Sequence, residues 1–308
     1  MLKQWFISYP NSNNKICYTF LMKSLLLFLF ISALLSAHTV THYTAQAPRC
    51  YADKAILRTF DLDDKRVQLV IDTRTLQTSI QSMVKTPGHP CGDSHYTRLL
   101  EQSASAPHPL TNDGITHQHG DGIALTTDLC PSSKKGFEKE LYEALIAGFR
   151  NPVPVTLFIT GKWIRKHPKS FRQFQTWQHD QKLAITWGNH TYAHPYHPGK
   201  PFEANFALSA GYDLRRDTLR LEQLMIEAGL TPSIFFRFPG LVSDPKAIQT
   251  VHDLGLITIG TDAWIAKGQP PHEGSIVLLH GNKNESKGVK MFLEMIKTKQ
   301  IKSITPML

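Results

Sequence analysis

From Gly122 onward, short apolar runs rich in β-branched residues alternate with segments of helical period, and nothing else constrains the fold as much. The runs are residues 123–127, 153–159, 183–187, 234–238, 256–261 and 276–279. Each is of strand length and bounded by Gly, Pro or polar residues. Between them, Phe137, Leu141 and Leu145 recur at i+4 behind a capping Ser133. A second helical segment runs from Ile164 through Trp177, disturbed early by Pro168. A third carries Leu214, Leu221, Leu224, Met225 and Ala228 and stops at Gly229, a common C-terminal punctuator. Val251 and Leu254 belong to a fourth, after Asp244-Pro245, and a last one spans about 288–299. Strands alternating with helices predict a parallel sheet with crossovers, open or closed into a barrel. No G-x-G-x-x-G follows a strand and no G-x-S-x-G occurs, which disfavours a dinucleotide fold and a serine hydrolase.

In such sheets chemistry is assembled at the C-terminal strand tips. The first run leads into Asp128 and the third into His190-Thr191-Tyr192-Ala193-His194. The fourth ends in Arg237-Phe238-Pro239-Gly240, the fifth in Asp262-Ala263-Trp264 and the sixth in His280-Gly281. Two imidazoles four residues apart share a face if the segment takes one helical turn, and imidazole suits zinc and its first-row neighbours. In a chain with 15 His, that pair alone would equally be two solvated or core-satisfied side chains. The polar residues at the other tips favour a site.

Upstream of Gly122 the pattern changes. Residues 1–21 are polar; Met22-Lys23 then opens an apolar run that ends at Leu35, with Ser36-Ala37 after it. A basic start, a short apolar centre and small residues at the end describe a secretory leader over residues 1–37, with Met22 as an alternative start. An uncleaved anchor is the other reading, and only through it would the chain touch a membrane. Removing residues 1–37 takes away Lys3, Lys15 and Lys23 and no acids, so the formal charge falls from +9 to +6. An exported, modestly basic product, periplasmic or secreted, suits anionic envelope material. No basic-aromatic interleaving points to nucleic acid. In an oxidising compartment Cys50 and Cys91, close together in the N-terminal region, are the expected disulfide, which leaves Cys130 free. Residues 38–119 read as a small, partly irregular appendage and linker with one strand at Val67, Leu69 and Ile71 and a hairpin return at 76–80. Its His117 and His119 read as a loop pair, with a contribution to metal binding as the other reading. Residues 120–308 are the main domain.

At the strand tips the sequence resembles the NodB-type polysaccharide deacetylases of carbohydrate esterase family four, over residues 122–304. Thr126-Thr127-Asp128-Leu129-Cys130-Pro131 is similar to that family's T-F-D-D-G-P motif, and Asn189-His190-Thr191-Tyr192-Ala193-His194 to its N-H-T/S-x-x-H motif, with the H-x-x-x-H separation kept. Arg237-Phe238-Pro239-Gly240 resembles the third motif, Asp262 with Trp264 the fourth, and Leu278-Leu279-His280 the fifth. The resemblance implies an α/β fold, a deformed (β/α) barrel, and hydrolysis of N-acetyl groups on amino-sugar glycans such as peptidoglycan. It also implies a divalent metal, zinc first and cobalt or nickel next.

The residues support that chemistry. A metal on His190 and His194 would polarise the amide carbonyl and activate water. Asp128 would be the base, kept ionised by Arg237. His280 would protonate the leaving amine, with Asp262 on its other ring nitrogen. The Gly240 backbone N–H is an oxyanion donor, and Trp264 packs beside the site. Two positions depart from the family pattern. Leu129 stands where a second acid supplies the third metal ligand, so either Cys130 takes that place, or the site binds metal weakly, or Cys130 is a buried apolar filler. Gly240 and Leu241 stand where Tyr and Gly are frequent, removing a Tyr-lined substrate wall. Two other readings stay open: a deacylase of another acyl group, and a catalytically silent carbohydrate-binding module.

Overall fold

The computed structural model describes residues 38–84 and 88–308; the leader assigned to residues 1–37 lies outside them. Residues 39–308 form one compact unit. It opens with β1 (Val40–Tyr51), β2 (Lys54–Leu62), β3 (Lys65–Asp72), β4 (Thr78–Ser82) and β5 (His89–Pro90), joined antiparallel in the order β4-β3-β2-β1-β5. The N-terminal region is therefore more regular than its sequence suggests. The register slips between Thr41 and Thr44, between Ala45 and Arg49, and between Ile56 and Arg58. Each slip breaks the alternation of apolar and polar residues by which a strand is recognised. A disulfide joins Cys50 of β1 to Cys91, with Cα atoms 4.8 Å apart. Helix α1 (His95–Ser103) follows, closed at its start by a capping box on Ser94.

The second sheet is parallel. Its elements are β6 (Ile123–Leu129), α2 (Lys139–Gly148), β7 (Val153–Ile159), α3 (Gly161–Lys166), α4 (Pro168–His179), β8 (Leu183–Asn189), α5 (Leu214–Glu227) and β9 (Phe235–Phe236). Then come α6 (Pro245–Asp253), β10 (Ile257–Thr258), β11 (Ala263–Trp264), β12 (Ile276–His280), α7 (Ser286–Lys297) and β13 (Ile304–Thr305). The order is β10-β9-β8-β7-β6-β12-β11, with β13 beside β6, and β10 does not pair with β11. This is a deformed, unclosed (β/α) barrel. Two local expectations fail. Ser133 does not cap α2, which starts six residues later behind Glu138 with no side-chain cap; Phe137 instead packs as a lead-in against Tyr142, Phe174 and Trp177. Pro168 takes the first turn of a new helix, α4, where its missing N–H costs nothing, so the expected single segment is two.

Strand parity sorts the core. Ile123, Leu125 and Leu129 of β6 pack with Leu157, Ile159, Val277 and the helices around them. Ala124 of β6, Phe158, Phe236 and Ile276 belong to a second cluster shared with Ala55, Leu57 and Ile71 of the antiparallel sheet. The boundary drawn near residue 120 is thus a change of strand direction, and the core runs across it. A buried ion pair also crosses it. Arg58 of β2 reaches Glu222 of α5 through Nε to Oε2 at 2.7 Å and Nη2 to Oε1 at 2.9 Å. Both side chains are buried, and the Tyr43 hydroxyl donates to the same carboxylate.

Candidate active site

Parity also builds the site. Asp128 is on the opposite side of β6 from Leu129 and the same side as Thr126. Arg237, fully buried just beyond β9, donates from Nη1 to Asp128 Oδ1 at 2.9 Å and to Thr126 Oγ1 at 2.7 Å. Its remaining donors go to the carbonyls of Ile259 and Gly260. The guanidinium lies 4.2 Å over the Phe158 ring, and that ring fits because Gly188 has no Cβ, which would meet it at 2.6 Å. Burial pushes the Asp128 carboxyl up, but Arg237, His190 and His280 outweigh it and hold its pKa below the usual value.

The histidine pair converges, though not on a helical turn. The segment after β8 is irregular, with Thr191 at φ +64 and His194 at φ +44. Asn189 shapes it: its Oδ1 accepts from Thr191 N–H and its Nδ2 donates to the Thr218 carbonyl. Asp217 of α5 accepts from Ala193 N–H. The two rings meet edge to face with centroids 4.7 Å apart. His190 donates from Nδ1 to the Arg237 carbonyl at 2.8 Å, which leaves Nε2 facing Cys130 Sγ at 3.5 Å and Asp128 Oδ2 at 3.6 Å.

Cys130, His190 and His194 each present a ligand atom within 4.8 Å of the others. His194 Nε2 is buried with no hydrogen-bond partner, a costly state for a polar atom unless something else occupies its lone pair. Burial raises the Cys130 thiol, but His194 and His190 bring its pKa well below the ordinary range. A thiolate and two imidazoles, one with an orphaned nitrogen, fit a zinc-type ion. Leu129 is fully buried in the outer core and contributes nothing here.

His280 closes β12 in register with Asp128. Its Nδ1 lies 2.9 Å from Glu285 Oε2, and the same oxygen accepts from Trp264 Nε1 at 2.8 Å. Burial lowers the imidazole, yet Cys130, Glu285 and Asp128 raise its pKa well above the usual value. Asp262 is not its partner, contrary to the sequence-based expectation. The fifth run stops as a strand at Thr258, and Asp262 lies at the start of β11, where Oδ1 accepts the N–H of Ile276. His280 stands four residues further along β12, about 13 Å away at about 3.3 Å per residue. Glu285, which takes the role, sits in the turn before α7 and carries no motif that marks it.

Asp128, Cys130, His190, His194, Gly240, Trp264, His280 and Glu285 line one pocket of ≈ 440 Å³. Gly240 has φ +64, and a Cβ there would meet the Phe206 ring at 2.6 Å. Phe206 also packs on His194 and stacks on Tyr196. Tyr196 and Phe202 are exposed at the rim of the pocket, a feature the sequence reading missed.

Residues 115–259 match the family model described as polysaccharide deacetylase. That stretch holds Asp128, Cys130, His190, His194, Arg237 and Gly240; Asp262, Trp264, His280 and Glu285 lie beyond its end. Among solved structures, the chain is similar to a family 4 carbohydrate esterase from Bacillus anthracis at 19% identity, covering 73% of this chain and 96% of that one, with a TM-score of 0.47. Bacillus subtilis PdaA, also a family 4 carbohydrate esterase, matches at 16% identity over 69% of this chain and 86% of that one, TM-score 0.45. BA3943 from Bacillus anthracis, a CE4 family pseudoenzyme, matches at 16% identity over 64% and 67%, TM-score 0.40.

Proposed function

We propose, from the match of residues 115–259 to the polysaccharide deacetylase family model, a metal-dependent hydrolase of non-peptide C–N bonds that removes N-acetyl groups from amino-sugar glycans of the cell envelope. The observation that carries this reading is the convergence of Asp128, His280 and the Cys130, His190, His194 trio on one pocket, with the Asp128 pKa held down and the His280 pKa held up. A divalent ion bound by that trio, zinc before cobalt or nickel, would polarise the amide carbonyl and ease deprotonation of the attacking water.

The chain's own residues do the rest. Asp128 Oδ1 is committed to Arg237, which leaves Oδ2 to accept the water's proton. Gly240 offers its backbone N–H from the pocket wall. His280, charged and oriented by Glu285, gives its proton to the departing amine. The exposed rings of Tyr196 and Phe202 offer apolar faces against which the C–H face of a pyranose packs, which supports a glycan substrate. The Cys50–Cys91 disulfide supports work outside the reducing cytoplasm, in the periplasm or beyond.

Acetate release from N-acetylglucosamine oligomers, peptidoglycan and acetylated xylan, measured on protein of known metal content, tests the proposal. Release from the amino-sugar substrates by metal-loaded protein alone is the expected result. Metal-loaded protein that binds these glycans and releases nothing would leave the carbohydrate-binding reading, and release from xylan alone would move the reaction to esters.

A further inference from the structure

Asp262, freed from His280, has two other imidazoles. His117, in the segment before β6, bridges to Ser275 across from it and brings Nδ1 to 2.8 Å from Asp262 Oδ2. His272, in the turn before β12, brings Nε2 to 3.5 Å from the same oxygen. The two rings lie 5.2 Å apart. His272 Nδ1 lies 3.2 Å from the Glu273 carbonyl, which turns the Nε2 edge of the ring toward the carboxylate. Two imidazole nitrogens from different segments thus face one carboxylate oxygen. Gly274, at φ +80, allows the turn to close on His117, because a Cβ there would meet its Nε2 at 2.6 Å.

We propose that His117, Asp262 and His272 form a second metal site, separate from the catalytic pocket, which takes a first-row divalent ion of the zinc type. Two imidazoles and a carboxylate are a donor set for such an ion, with water completing the sphere. Their ligand atoms lie within 4.8 Å of one another. An ion with bonds near 2.0–2.1 Å holds its ligands about 3.3 Å apart, a spacing that the exposed His272 reaches by a ring movement. The site would pin together three segments at the end of β12 remote from His280, so its role is to clamp the entry of the chain into the barrel. It extends the functional reading, and only the wild-type count of two ions rests on that reading.

The test is zinc binding by the full chain, measured after chelator treatment by equilibrium dialysis with elemental analysis, and thermal unfolding with and without zinc. Wild type should hold two ions. His194→Ala should keep one and still gain melting temperature with zinc; His194→Ala combined with His272→Gln should bind none and gain nothing. His117→Gln, from a different segment, should behave as His272→Gln does, which guards against a variant that misfolds. Retention of both ions by folded His272→Gln or His117→Gln, or no zinc on folded His194→Ala, would overturn the proposal.

Discussion

Asp128 and His280 are register partners on adjacent parallel strands, β6 and β12, and their pKa values are pushed apart, the first down and the second up. Each is raised or lowered in part by the other, so base and acid come as a matched pair on one sheet face.

Removing the base separates chemistry from metal binding. Asp128→Asn should lower acetate release by on the order of 10²- to 10⁴-fold, while elemental analysis finds the metal content unchanged. Turnover near the wild-type level would take the base role from Asp128.

The acid is tuned by Glu285. Its carboxylate raises the His280 pKa, and the acid must be protonated to act, so activity falls as pH rises through that pKa. Glu285→Gln removes the raising charge and should shift the alkaline limb of the kcat/KM profile toward lower pH. An unmoved limb would assign the pairing to structure alone.

Metal affinity should report on Cys130. Cys130→Ser should weaken zinc binding by more than the roughly 10- to 100-fold that loss of an outer hydrogen-bond partner costs. The titration of competing chelators measures it, and unchanged affinity would return Cys130 to packing.

The ion pair between β2 and α5 carries stability. Glu222→Ala strands the fully buried Arg58 charge and should cost about 3–5 kcal/mol in urea unfolding. A loss under about 1 kcal/mol would mean that Arg58 finds water or another acceptor.

Much of this was legible in the sequence because it is written locally. The six apolar runs marked the parallel strands, and Asp128, Arg237 and the His190, His194 pair meet as the strand tips suggest. The failures have physical causes. Asp262 sits where the fifth strand was expected to end, but the chain stops pairing at Thr258 and turns to start β11, which sends the carboxylate to the other end of the sheet. Glu285 was invisible because it stands alone in a turn, brought to His280 by the start of α7. The antiparallel sheet was hidden by its bulges, and the buried Arg58 and Glu222 by a separation of 164 residues.

The sulfur at position 130 changes what can poison the pocket. With a carboxylate there only the imidazoles would attract thiophilic ions; a buried thiolate flanked by imidazoles adds a strong preference for cadmium, mercury and copper(I) over the harder cations. It also places a reactive atom on the ladder from thiol to sulfenic acid and beyond. A domain of this kind would be silenced by heavy metals and peroxide at doses that an all-oxygen, all-nitrogen counterpart survives.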